Sequence, residues 1–243
     1  MKNALITGAT SEVGQAICRK LAKNNNIIIH YHTKEDIAFQ LKEELESIYN
    51  IKCLCIKADL TNELDINNLV EKAINEMGSI DILVNNAALD LSNIFEDKTK
   101  EEFMKVLDVN LVAPFLLSKK IGKEMIKNKY GKIINIASTN GIDTYFPMCL
   151  DYDASKAGLI SLTHNLSLQF KPYVNVNAIA PGWIKTTKDI KDLDEEYIKQ
   201  EEDKIFKNRF GEVDEIADLV EFLVSDKANY INNQVIRIDG GMY

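Results

Sequence analysis

The sequence predicts a doubly wound α/β fold, a seven-stranded and mainly parallel sheet with helices on both faces. Three observations point there. Seven short apolar, β-branched runs are spread along 243 residues. Helical patterns separate them, so that strand, helix and strand succeed one another. The runs are continuously apolar rather than alternating, as strands covered on both faces of a parallel sheet require.

The elements follow in order. The first run, Ala4 to Ile6, leads through a glycine-bearing turn into a helix over Val13 to Ala22. Runs at Ile27 to Ile29, Lys52 to Ile56 and Ile80 to Val84 alternate with helical patterns over Lys34 to Ile48 and Glu63 to Met77. One long helix is expected over Thr99 to Lys127, opened by a capping box of Thr99 and Glu102. Strands at Lys132 to Ile136 and Val174 to Ile179 flank a helix over Asp151 to Phe170, which Pro172 stops. A helix over Val213 to Val224 and a strand over Val235 to Ile238 close the chain. No Gly/Ser/Pro-rich linker and no repeat interrupts this order, so residues 1–243 read as a single domain. Right-handed crossovers then place any ligand beyond the C-terminal strand ends.

Composition removes several function classes. A hydrophobic content of 46% supports a substantial core, and no run of eighteen apolar residues suggests a membrane span. The first strand begins almost at Met1, which leaves no room for a signal peptide, so a cytoplasmic location is expected. A net charge of −8 disfavours nucleic acid as a partner. Cys18, Cys53, Cys55 and Cys149 lack CxxC spacing and only three histidines occur, so neither a metal site nor a disulfide framework is expected.

Tyr152 and Lys156 stand four residues apart, about one helical turn, with Ser138 fourteen positions upstream. A phenol is a poor acid near neutral pH, its ordinary pKa being about 10, and a neighbouring ammonium favours the phenolate. The pair therefore suits proton transfer, although the same spacing also fits an ordinary half-buried helix face. Thr7-Gly8 to Gly14 joins the first strand to a helix, where glycines permit a tight turn and helix N-terminal amides can hold a pyrophosphate. Asp59 follows the third strand, Asn85 to Ala88 the fourth and Ser138 the fifth, and Asn110 lies within the long helix.

With these motifs in this order, the chain resembles the short-chain dehydrogenase/reductase family over Met1 to Tyr243, with a Rossmann-like single-domain fold. Thr7-Gly8 to Gly14 matches the nucleotide loop, Asn85-Asn86-Ala87 the strand-four motif, and Asn110, Ser138, Tyr152 and Lys156 the catalytic tetrad. Pro181 to Thr186 is similar to the segment that holds the nicotinamide carboxamide, and Arg209 to Ala217 and Asp239 to Gly241 to the C-terminal signatures. The resemblance implies an NAD(P)-dependent oxidoreductase. Tyr152 would be the general acid or base and Ser138 would donate to the substrate oxygen. Lys156 would lower the phenol's pKa and bind the nicotinamide ribose, and Asn110 would anchor a water. The cofactor-binding set it implies is Gly8, Thr10, Ser11, Glu12, Val13, Gly14, His32, Thr33, Asp59, Leu60, Asn86, Ala87, Tyr152, Lys156, Pro181, Gly182, Ile184 and Thr186.

The chain departs from the family pattern at the nucleotide loop, where Glu12 replaces the middle glycine, and at Ala88, which replaces the last glycine of the strand-four motif. Glu12 is expected to point outward. No acid stands at Tyr31, at the end of the second strand, which favours NADP(H) over NAD(H), with His32, Thr33 and Lys34 as 2′-phosphate contacts. Lys34 and Glu35 also fit the start of a solvated helix.

Within the family the sequence is most similar to reductases of 3-oxoacyl groups on acyl carrier protein, so the expected substrate is a small or carrier-bound carbonyl compound. Acyl carrier protein is then a candidate partner, with Lys129, Lys132 and Lys171 as candidate contacts. A dehydrogenase of a small sugar, polyol or ketone is the alternative, and a non-catalytic dinucleotide sensor or scaffold is the alternative of another class. Residues 188–208, rich in acids, are expected to form a substrate lid. Ile142, Tyr145, Phe146, Met148 and Cys149 could line the pocket. The resemblance also implies a homotetramer, with Leu107, Leu111, Ala113, Phe115 and Leu117 serving core or interface.

Overall fold

The computed structural model describes residues 1–191 and 193–242, the side chains of residues 188 and 189 excepted. Lys188, Asp189 and Asp192 of the expected lid, and Tyr243, therefore lie wholly or partly outside the described residues. All seven expected strands form: β1 (Lys2–Ile6), β2 (Asn25–Tyr31), β3 (Cys53–Lys57), β4 (Ile82–Asn85), β5 (Gly131–Ile136), β6 (Val174–Pro181) and β7 (Val235–Ile238). They make one sheet in the order β3-β2-β1-β4-β5-β6-β7, and every pairing is parallel.

Alternation along each strand divides the core in two. On one face Ala4, Ile6, Ile27 and Ile29 meet α1 (Glu12–Leu21), α2 (Glu35–Tyr49) and α9 (Val213–Val224) through Ile17, Leu41 and Val220. On the other, Leu5, Ile28, Leu83 and Ile133 meet α3 (Glu63–Met77), α5 (Ala113–Lys127) and α6 (Leu150–Phe170) through Leu69, Leu117 and Phe170. Continuous apolar runs were required because both faces are covered. Among the described residues no helix is long and apolar enough to cross a membrane.

The expected helix over Thr99 to Lys127 is opened by the capping box of Thr99 and Glu102, but it is not uniform. Helix α4 (Lys100–Leu107) widens into a π turn over Asp108–Val112 before α5. Pro114 supplies the physical reason: it has no N–H for the Asn110 carbonyl four residues back, and its ring crowds that carbonyl. Helix α7 (Thr187–Ile190) begins one residue before the segment expected as a lid, and α8 (Glu195–Asp203) lies within that segment.

Candidate dinucleotide cleft and proton-transfer site

The chain leaves β1 to one side for β2 and returns on the other for β4, so a crevice opens beyond the C-terminal ends of β1 and β4. It is a cleft of about 960 Å³. Thr7, at the end of β1, ties the two strands together. Its hydroxyl accepts the N–H groups of Asn86 and Ala87, both at 3.0 Å, and Asn86 Nδ2 donates to the carbonyls of Thr7 and Gly8 at 2.9 and 3.1 Å. Gly8 has φ +61°, and a Cβ there would come within 2.8 Å of the Ala87 Cα. A Cβ on Gly14 would stand 2.5 Å from the Gly8 carbonyl oxygen, so α1 can seat on the loop only through glycine. Ser11 caps α1 by accepting the Gly14 N–H, while the N–H groups of Glu12 and Val13 have no acceptor within the helix. This cradle of glycines and helix amides fits a pyrophosphate, and the cleft beyond it has room for a dinucleotide.

At the far end of the cleft the Asp59 carboxylate accepts the Thr61 N–H and hydroxyl at 2.9 and 2.8 Å, bonds that hold its pKa below the usual value. His32 stands 3.7 Å away. Tyr31 is buried, and its hydroxyl donates to Glu35 at 2.7 Å, so the nearest acid after β2 is already engaged.

Tyr152 and Lys156 stand together on α6, and Ser138 opens the turn after β5 that packs against this helix. Lys156 is buried and donates to the Ile136 carbonyl at 2.8 Å, two residues before Ser138. Its Nζ lies 5.3 Å from the centre of the Tyr152 ring, and burial pulls its pKa down to about 8. Asn110 is fully buried: its Nδ2 donates to the Leu89 carbonyl and Ser155 Oγ at 2.9 and 3.0 Å, and its Oδ1 accepts the Leu89 N–H. Ser155 Oγ donates to the Tyr152 carbonyl, so Asn110 is linked to the tyrosine's own helix turn. The Ser138 hydroxyl donates to Asn140 Oδ1 at 3.2 Å, and Asn140 Nδ2 donates to Asp153 at 2.7 Å. Beside Tyr152, the buried Asp151 carboxylate accepts the Tyr152 N–H and pairs with Lys98 at 2.9 Å, fastening the loop after β4 to the start of α6.

Of the residues named from the sequence, Gly8, Thr10, Ser11, Glu12, Val13, His32, Thr33, Asp59, Leu60, Asn86, Ala87, Tyr152, Lys156 and Thr186 line the cleft. Gly14 lies beneath it as packing. Pro181, Gly182 and Ile184 do not line it. Gly182 backs onto Asp239, and Ile184 pairs with Gly211 and faces a second cavity of about 350 Å³. The neighbouring Trp183 stacks on Phe210 and donates to Glu201, anchoring α8. Glu12 is exposed and reaches across the cleft, where its carboxylate accepts the Thr187 N–H of α7 at 2.9 Å. Sequence reading placed Thr7 in the nucleotide loop without its hydrogen-bonding role and missed Gln15, His30, Lys105 and Thr187 along the cleft; only His30, a polar residue near the end of an apolar strand, offered a signal. Lys129, Lys132 and Lys171, expected near an entrance, sit at the N-terminal edge of the sheet, opposite the cleft, and Lys132 is buried against Asn175 and Asn229.

A parallel doubly wound sheet with this cradle and this tyrosine–lysine pair defines a nicotinamide-dinucleotide oxidoreductase, and the chain belongs to the short chain dehydrogenase family, whose profile matches residues 2–197. It is 37% identical over its whole length to the 3-oxoacyl-[acyl-carrier-protein] reductase FabG of Aquifex aeolicus, covering 97% of that protein. It is 38% identical to the reductase of the same name from Rickettsia felis, over 99% of this chain and 96% of that one. Among solved structures, acetoin dehydrogenase YohF from Salmonella typhimurium superposes with a TM-score of 0.87 at 31% identity, over 99% of this chain and 95% of that one. A candidate gluconate dehydrogenase from Agrobacterium tumefaciens gives 0.92 at 28%, with the same coverage.

Proposed function

We propose that the protein is an NADPH-dependent reductase of 3-oxoacyl thioesters, with Tyr152 as proton donor to the carbonyl oxygen. The observation that carries this reading is the buried Lys156 ammonium beside the Tyr152 ring, at the mouth of a cleft whose glycine cradle fits a dinucleotide. The bound nicotinamide supplies the hydride. Tyr152 gives its phenolic proton to the developing oxyanion, and takes it back when an alcohol is oxidised. Ser138 turns its hydroxyl from Asn140 to that oxygen and stabilises the charge. Lys156 lowers the energy of the phenolate that Tyr152 leaves behind. The Asn110 side chain is committed to Leu89 and Ser155. Pro114 removes the N–H four residues on from the Asn110 carbonyl, the group we infer to hold a water.

The preference for NADP(H) over NAD(H) rests on Glu35 being tied to Tyr31 while His32, Thr33 and Lys34 are exposed along the cleft. Named relatives support the 3-oxoacyl substrate. Asp194, Glu195, Glu196 and Asp203 are exposed on α8 and its cap, and this acidic face favours a second reading in which a small free ketone or polyol is the substrate rather than one presented by an acidic carrier protein. Steady-state reduction of a 3-oxoacyl thioester, free and carrier-bound, against acetoin-sized ketones separates them. The thioester should give the highest kcat/KM with NADPH. A clear preference for a small ketone or for NADH would overturn the corresponding half of the proposal, and cofactor binding without turnover of any carbonyl would favour a sensor.

A further inference from the structure

His30 ends the apolar run of β2 and is 2% exposed, a polar ring in the floor of the cleft. It receives two successive amides of the nucleotide loop. The Gly8 N–H donates to its Nδ1 at 3.0 Å, and the Ala9 N–H donates to its carbonyl at 3.0 Å. Because Nδ1 accepts, the ring proton must sit on Nε2, which then donates to the Ala58 carbonyl at 3.2 Å, one residue before Asp59. One neutral imidazole thus joins the ends of β1, β2 and β3 beneath the place where the loop must hold its left-handed Gly8.

We propose that His30 is a positioning residue for the dinucleotide, holding Gly8 and the first turn of α1 in the phosphate-binding shape through the Gly8 N–H to Nδ1 bond. The inference rests on the dinucleotide reading of the cleft. A buried ring that only filled space would need no acceptor facing a loop amide. Here both ring nitrogens are used, one by Gly8, which lines the cleft, and the other by Ala58, the neighbour of the lining residue Asp59.

The test compares side chains that keep one bond or the other. Asn carries its amide oxygen on Cγ, where Nδ1 sits, so His30→Asn keeps the Gly8 bond and loses Ala58. Gln reaches one bond further, so His30→Gln keeps Ala58 and loses Gly8. His30→Leu loses both. Isothermal titration of the full chain with NADPH and with NADH should give His30→Asn within about threefold of the parent Kd. His30→Gln and His30→Leu should bind about five- to tenfold more weakly, as loss of one hydrogen bond implies. The cofactor KM should rise in step, with kcat at saturating cofactor within about twofold. Equal affinity across the variants, or Gln binding as tightly as Asn, would overturn the proposal, and the Asn–Gln pair decides it even where the Leu variant does not fold. Failure of the parent protein to bind either dinucleotide would refute the cofactor reading itself, and this inference with it.

Discussion

Lys156 shows how one side chain is set to its task by its surroundings. Its ammonium is 1% exposed, and burial alone brings its pKa to about 8. Below that value the lysine is charged and supports a Tyr152 phenolate; above it the support is lost. For carbonyl reduction the phenol must also be protonated, so both groups move the rate in the same direction. The log of kcat/KM for the free enzyme should therefore be level near neutral pH and fall as pH rises through about 8. A profile still level well above that pH would contradict the assignment. At this scale the spacing of Tyr152 and Lys156 offered a pair, but it was the family resemblance that gave that pair, and Ser138, their expected roles. His30 and Asn140 did not stand out, since their partners are brought together by strand pairing and by the turn after β5.

At the scale of elements, the nucleotide loop and α7 are joined by Glu12, which accepts the Thr187 N–H across 175 positions of sequence. An outward Glu12 was expected from the sequence, but its acceptor role was not, for nothing local encodes so distant a partner. The bond ties the first turn of α7 to the edge of the cleft. Glu12→Ala should speed hydrogen exchange at Thr187 by about three- to tenfold, the loss expected for one exposed bond, while NADPH affinity changes less than about threefold. Unchanged exchange would show that the contact does not hold α7, and a large gain in affinity would show that the carboxylate opposes phosphate. The helix over Thr99 to Lys127 teaches a related lesson. Its apolar period continues through Asp108–Val112, so pattern alone reads one helix, and only Pro114 carried the signal of the π turn. Lys98 and Asp151 were likewise unreadable as a pair, although burial of both means that removing either alone should cost about 3–5 kcal/mol.

On the scale of the whole molecule, the alternation of apolar runs and helices carried the doubly wound parallel architecture, while the strand order came only with the structure. What sequence could not assign was the side of the sheet on which surface charges fall. Lys129, Lys132 and Lys171 lie at the edge away from the cleft, and the exposed acids of α8 do not line it. The expected stripe on α4 and α5 also divides: Ala113 and Leu117 are core, while Phe115 is exposed together with Met104 and Val112. An outward apolar face of this kind suits pairing with another copy, and we propose assembly as a homotetramer. Light scattering at micromolar concentration should return about four protomer masses, and Phe115→Glu should lower that mass. A single protomer mass for the parent protein would refute assembly through this face.

The central claim is that a dinucleotide bound in this cleft reduces a carbonyl group through the Tyr152 proton. NADPH oxidation with a 3-oxoacyl thioester, followed side by side in the parent protein and in Tyr152→Phe, tests it most directly. The account predicts turnover in the parent, a fall in kcat of about 10²- to 10⁴-fold in the variant, and the same NADPH affinity in both. Turnover by Tyr152→Phe within about threefold of the parent would contradict it.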